Sequence, residues 1–303
     1  MRILNYAPVV VFGYNRADML ENLFKSLEKN ENVDQMDLYI FVDIPDKKKT
    51  RDIPLSEKVI EYVNYYKTVS HFRNVKIEIA KKHKGLADSV ISGVTKVIDK
   101  YGKVIVLEDD LEVSNDFLDY MQRGLDYYEN NKKVWSLTGH CPMSRGLDKY
   151  NKDVFLIPRG ESLGWGTWRN RWCHVDWEVT SYDEFKRDFV GQALFNLSGS
   201  RLCRMLKRQM TDKSYDSWAI RCCYQQFRER KYTVYPKETR VIHLGNDNRS
   251  THGVYHSPQR LKEKYSRCVF SDLRPNYRLI WNFRLASNRV SKIPRFIGRK
   301  DNI

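Results

Sequence analysis

The sequence predicts an α/β protein built on a mixed, mainly parallel sheet flanked by helices, and three observations carry that prediction. Short apolar, largely β-branched runs recur along the first third of the chain, each closed by Gly, Asp or Pro. Between them lie stretches whose apolar residues repeat at helical spacing, so strands alternate with helices as in a parallel sheet. One run, Val104–Leu107, is continuously apolar, as a strand buried on both faces reads, and it leads straight into Glu108, Asp109 and Asp110.

Taken in order, Pro8–Phe12 is the first strand, closed by Gly13, and Asn15 is placed to cap a helix with the apolar face Leu20, Leu23, Phe24 and Leu27. Leu38–Val42 is a second strand ending at Asp43, followed by the polar loop DIPDKKKTRDIP. A helix from Ser56 to Lys67 and a third strand at Val75–Ile79 come next. In KKHKG, Gly85 breaks the chain before the helical stripe Val90, Ile91, Val94, Val97 and Ile98. After the acidic triplet, Ser114 is the expected cap of a helix carrying Phe117, Leu118, Met121 and Leu125, which makes the triplet a short strand-to-helix connection. VWSLTG and DVFLIP read as two more strands, Asp183–Leu197 and Arg201–Met210 as amphipathic helices, and a further helix starts at Asp216.

With 303 residues, 41% hydrophobic and 13% aromatic, the chain can bury a sizeable core, although charged residues hold the mean hydropathy at −0.64. The net charge of +15 points to an acidic partner: nucleic acid, an anionic membrane or a phosphorylated substrate. From Pro258 onward twelve Lys/Arg face three Asp/Glu, and YRLIWNFRLASNRVSKIPRFIGRK interleaves them with Trp, Phe, Ile and Leu. That composition predicts an amphipathic segment resting on an anionic membrane surface, with packing on the domain as the alternative. Six cysteines without a C-x-x-C spacing read as reduced thiols. With no membrane span or signal-peptide core, the expected location is the cytoplasm, peripheral on the inner face of the cell membrane.

Three adjacent acids repel one another unless a cation sits among them, and hard oxygen ligands of this kind suit Mn²⁺ or Mg²⁺. The carboxyl end of a parallel strand is also where open α/β sheets bind ligands. The plain alternative is a solvated acidic turn beside a helix N-terminus. Between Arg159 and Trp172, RGESLGWGTWRNRW packs three tryptophans among three glycines, a composition suited to stacking on sugar rings or bases, or to the core of a smaller subdomain.

The run VIVLEDDLEVSND, a buried strand entering EDDLEV and then a helix opening on Asp-Phe, resembles the GT-A type of nucleotide-sugar-dependent glycosyltransferase, and most closely the N-acetylglucosaminyltransferase I family. The resemblance spans roughly residues 8 to 256. It implies a GT-A (Rossmann-like) fold with residues 1–130 as the nucleotide-sugar-binding half, 131–257 as the acceptor and catalytic half, and 258–303 as a basic aromatic extension. It makes Asp110 the direct ligand of Mn²⁺ (or Mg²⁺), with Glu108 and Asp109 beside it. Arg16 in GYNR and Asp43 in FVDIP match residues that hold uridine, and Asp43 has the acceptor oxygens a uracil imide N–H needs. Lys84 matches a basic turn near ribose or phosphate. Leu163, Gly164 and Trp165 match a stretch lining the sugar and acceptor side, where Trp165 and Glu161 are the expected contacts. Asp216-Ser217-Trp218 matches a D-D-W whose first acid is the general base; here the second acid is replaced by Ser, and a helix cap is the ordinary reading of Asp216. His243, and His252 in the T-H-G at 251–253, fall on a loop that closes over the nucleotide sugar, with His243 placed to complete the metal shell or bind the diphosphate.

The expected activity is inverting transfer of a sugar, N-acetylglucosamine first among candidates, from a UDP-sugar donor to a saccharide or lipid-linked saccharide acceptor in cell-surface polysaccharide or glycan synthesis. A nucleic-acid-binding protein has no use for three contiguous acids at the end of a buried strand. A sugar-nucleotide-forming nucleotidyltransferase would need a Gly-rich phosphate loop near the first strand, and none is present.

Overall fold

The computed structural model describes residues 6–142, 145–244 and 260–289. The first half alternates strand and helix: β1 (Val9–Gly13), α1 (Ala17–Leu27), β2 (Asp37–Val42), α2 (Ile53–Val69), β3 (Asn74–Ile79), α3 (Leu86–Tyr101) and β4 (Lys103–Glu108). Then come β5 (Leu111–Val113), α4 (Phe117–Tyr128), β6 (Val134–Thr138), β7 (Val154–Ile157), β8 (Trp165–Trp168) and α5 (Arg169–Trp172). The remainder is mostly helical: α6 (Tyr182–Phe185), α7 (Phe189–Phe195), α8 (Leu202–Thr211), α9 (Trp218–Arg228), β9 (Tyr232–Pro236), β10 (Val241–His243) and α10 (Tyr277–Arg289).

Eight strands form one sheet in the order β3-β2-β1-β4-β8-β6-β9-β7, parallel from β3 to β4 and mixed beyond. Alternation along β1 and β4 explains why both read as apolar throughout. Val9, Val11, Ile105 and Leu107 pack with α1, α2 and α4, while Val10, Phe12, Val104 and Val106 pack with α3 and a tryptophan cluster on the other face. Asp37, at the start of β2, is buried. Burial works to raise its pKa, but hydrogen bonds from Arg73, Tyr101 and Asn74 outweigh this and hold it at about 2. Its folded value lies below its unfolded one, so Asp37 adds stability above about pH 4 that is lost as pH falls toward about 2. Asp37→Asn is expected to flatten that limb of an acid-unfolding curve; a variant that unfolds in parallel with the wild type between those values would remove Asp37 from the acid response.

Several local expectations are corrected. Asn15 does not cap α1; its Nδ2 donates to Asp52 at 3.1 Å, and Arg16 takes the N-cap position without a side-chain cap bond. Ser114 does not cap α4 either: its hydroxyl donates to Asp116 at 2.6 Å, and Asp116 is the N-cap. Residues 183–197 form not one helix but α6 and α7, because the Asp188 carboxylate accepts the Gly191 N–H at 2.8 Å and starts a new helix. The acidic triplet is not a strand-to-helix connection. It turns from β4 into β5, which pairs antiparallel with β10 from the far end of the chain.

The tail is corrected too. The apolar face of α10, Leu279, Ile280 and Phe283, is buried with Phe155, Ile157 and Tyr235 of β7 and β9, so the residues expected to meet a membrane serve the core instead. Tyr277 and Trp281 remain exposed. Residues 290–303 lie outside the described residues, and no described helix is long and apolar enough to cross a membrane. Cys173, Cys203, Cys222, Cys223 and Cys268 are free thiols, as their spacing predicted.

Candidate active site

β1 leads to β2 and β3 on one side, whereas β4 returns to the other side of β1, so the carboxyl ends of β1 and β4 flank the switch point where such sheets bind ligands. Phe12 pairs with Glu108 in register. The residues following these two strands, Arg16 and the acidic triplet, therefore meet although about ninety positions separate them. Arg16 grips Asp109 with Nε, 3.2 Å from Oδ2, and with Nη2 on Oδ1, while its Nη1 donates to Asp110 Oδ2 at 2.9 Å. His243 enters from β10: pairing with Leu111 places its Nε2 3.2 Å from Asp110 Oδ2. The Leu244 N–H donates to the Asp110 carbonyl at 2.7 Å and closes the turn.

The electrostatics divide the three acids. Burial, reinforced by the charges of Asp110 and Asp109, pushes Glu108 up to about 8, so it is mostly protonated at neutral pH. Burial also lifts Asp109 to about 7 in spite of Arg16. Asp110 is buried as well, but His243 and Arg16 together hold it below the usual carboxylate range. Asp110 is thus the member of the triplet most firmly kept as an anion.

Asp43 and Lys84 meet through the Lys84 backbone. Asp43 accepts the backbone N–H groups of Ile44 at 3.0 Å and of Lys84 and Gly85 at 2.9 Å each, and lies 2.9 Å from His83 Nδ1. The His83 Nδ1 hydrogen bond goes to the Ile44 carbonyl at 2.8 Å, so three backbone N–H groups occupy the carboxylate and about one of its four acceptor positions remains. The Lys84 ammonium reaches Ser92 at 3.0 Å, folded along α3. His83, in KKHKG, belongs to this turn and was not singled out from sequence.

Trp165 is corrected to a core residue. It lies in β8, 3% exposed, with Trp218 and Trp172 at centroid distances of 5.0 and 5.6 Å and 6.5 Å from each other, so the three rings form one buried cluster. Trp165 and Trp172 fill the side of the sheet facing α3 and α9, while Trp168 packs on the opposite face with α4. Glu161, four residues before, precedes β8 at the edge where β4 ends, and its Oε2 lies 3.4 Å from His140 Nδ1. His140 was missed; its signal was a histidine two residues past a strand whose carboxyl end faces this edge. Asp216 lies ahead of α9, half exposed, with Oδ1 2.6 Å from Arg221 Nη2. It is not the helix cap, since the Ser217 hydroxyl accepts the Ile220 N–H. His252 falls outside the described residues.

Fold and site together define an α/β protein that gathers carboxylates, an arginine and a histidine at the switch point of its sheet. More particularly, the chain belongs to the GNT-I family, whose model matches residues 2–189. The chain is similar to the alpha-1,3-mannosyl-glycoprotein 2-beta-N-acetylglucosaminyltransferase of Arabidopsis thaliana, 24% identical over 204 residues that make up 60% of this chain and 42% of that protein. It thus spans about two fifths of the length of that relative. Among solved structures it is similar to residues 1–349 of S. aureus TarS, with a TM-score of 0.47 and 9% identity over 78% of this chain and 59% of that one. It is likewise similar to GalNAc-T7 solved with UDP, GalNAc and Mn²⁺, with a TM-score of 0.48 and 11% identity over 78% of this chain and 43% of that one.

Proposed function

We propose that this chain is a divalent-metal-dependent, inverting glycosyltransferase that moves a sugar, with N-acetylglucosamine as the lead candidate, from a UDP-sugar to a saccharide acceptor of a cell-surface polysaccharide or glycan. The observation that carries this reading is the meeting of Arg16, Asp109, Asp110 and His243 at the switch point, in a chain of the GNT-I family.

The donor set fits a metal of the manganese type. Asp110 offers a carboxylate oxygen and His243 an imidazole nitrogen on the same side of the turn, a pairing that Mn²⁺ accepts more readily than Mg²⁺. Among the described residues no group of three or more His, Cys, Asp or Glu stands ready to enclose an ion, so these two would share it with diphosphate oxygens and water. Bound there, the ion would supply positive charge where the leaving diphosphate gains negative charge. Arg16 offsets the repulsion within the triplet and keeps Asp109 and Asp110 in one orientation. Asp43 fixes the turn into α3 that forms the nucleotide side of the crevice.

Asp216 is the proposed general base. Its contacts with Arg221 and Gln209 both use Oδ1, so a proton from an acceptor hydroxyl would go to Oδ2. Asp216→Asn is expected to leave UDP affinity unchanged while kcat falls by about 10²–10⁴-fold. Near wild-type turnover in that variant would take Asp216 out of the mechanism. The function itself is tested by UDP release from a panel of UDP-sugars with and without Mn²⁺. Mn²⁺-stimulated release, fastest with UDP-N-acetylglucosamine, and a β-linked product from the α-linked donor are expected. Absence of UDP release from every donor, or an α-linked product, would overturn the reading or its stereochemistry, respectively.

A further inference from the structure

We propose that Glu161, held in place by His140, is the residue with which this chain reads hydroxyl groups of the transferred sugar. The inference rests on the nucleotide-sugar reading above and names the part of the substrate that this pair recognises.

Topology puts the pair at the site. β8 runs antiparallel to β4, with Trp165 opposite Val106, so the segment preceding β8 lies at the carboxyl end of β4 beside Glu108. β6 runs antiparallel to β8, with Thr138 opposite Trp165, so His140 emerges from β6 at the same edge.

The local contacts leave capacity for a ligand. Glu161 Oε1 accepts the Ser162 N–H at 3.0 Å, and Oε2 lies 3.4 Å from His140 Nδ1. A carboxylate has about four acceptor positions, so two remain. His140 is 3% exposed, and its Nδ1 makes no well-formed hydrogen bond among the described residues; this contact with Glu161 is what orients the ring. Burial works against a charged Glu161, yet His140 and Arg159 more than offset it and keep the carboxylate ionised. An ionised carboxylate at the same sheet edge as the Asp110 anion is an unfavourable arrangement for the fold alone. It suits a site that binds neutral hydroxyl donors, because adjacent hydroxyls of one epimer satisfy it and those of another leave it unpaired.

Glu161→Gln separates this role from a purely structural one, since Gln keeps the shape and still accepts the Ser162 N–H. UDP affinity in Mn²⁺, measured by calorimetry, is expected to stay at the wild-type value. The gain in affinity on passing from UDP to the UDP-sugar should shrink, kcat/KM for the sugar donor should fall about 10- to 100-fold, and discrimination between donor epimers should weaken. His140→Phe, which keeps a ring but loses the donor, should reproduce these changes. His140→Asn, which keeps a donor near the Nδ1 position, should restore them in large part. An unchanged sugar increment and epimer preference in Glu161→Gln, with UDP binding intact, would overturn the proposal and leave the nucleotide-sugar reading standing. Failure of the wild-type protein to bind UDP would remove both.

Discussion

Asp110→Asn is expected to abolish metal-dependent UDP binding and leave the fold intact. The residue is 6% exposed and contacts Arg16 at 2.9 Å and His243 at 3.2 Å, so its charge is the one that these two side chains hold in place. Asn keeps the volume and can still accept from Arg16, whose charge stays balanced by Asp109. The fold therefore loses about 1 kcal/mol, the difference between a charge-assisted hydrogen bond and a neutral one. Binding loses far more. Removing a mere supporting partner of a metal ligand costs about 10–100-fold, so removing the ligand charge itself should exceed that range. Titration of UDP in the presence and absence of Mn²⁺ reads the first effect and chemical denaturation the second. Wild-type affinity in Mn²⁺ would withdraw the assignment of Asp110, and a large loss of stability would make the triplet a structural feature.

Loss of α10 should have the opposite signature, a damaged fold. Phe283 is 1% exposed and meets Tyr235 edge-on at a centroid distance of 5.1 Å, while Leu279 and Ile280 close the same cluster over β7 and β9. Phe283→Ala is expected to cost about 3–5 kcal/mol. Deleting the chain after Asn276 removes all three apolar side chains and exposes the aromatic surface beneath them. Set against a typical domain stability of about 5–15 kcal/mol, that deletion should leave the protein marginal or aggregating. Denaturation midpoints decide it: a Phe283→Ala variant unfolding at the wild-type midpoint would show that α10 packs too loosely to stabilise the core. Composition left two readings of the tail, a membrane contact or packing on the domain. Composition records that Arg and Lys alternate with Trp, Phe, Ile and Leu, but an amphipathic helix can turn its apolar face to a bilayer or to a sheet. The uncovered apolar surface of β7 and β9 decided between them.

The same division runs through the whole chain. The sequence by itself determined the order of strands and helices through Glu108, because those signals are local: β1, β2, β3 and β4 each match an apolar run to within a residue or so, and α3 follows its apolar stripe. It also marked the acidic triplet, since three contiguous acids after a buried strand are visible without any partner. What only the tertiary structure decided are the pairings between distant segments. That Arg16 grips Asp109 and Asp110 follows from β1 lying beside β4 in register, and His243 reaches Asp110 through the β5–β10 ladder, which no local periodicity announces because both strands are three residues long. The role of Trp165 turned on the same kind of fact. A tryptophan among glycines reads equally as a sugar platform or as core, and its burial in one cluster with Trp172 and Trp218 made it core. Asp216 was expected as base or cap, and the Ser217 hydroxyl took the cap because a cap is chosen by backbone geometry, not by the stronger acid in the neighbourhood. His140 and Glu161, twenty-one positions apart, carry no shared motif; two strands antiparallel to β8 and β4 bring them to one edge, and only that crossing makes them a pair.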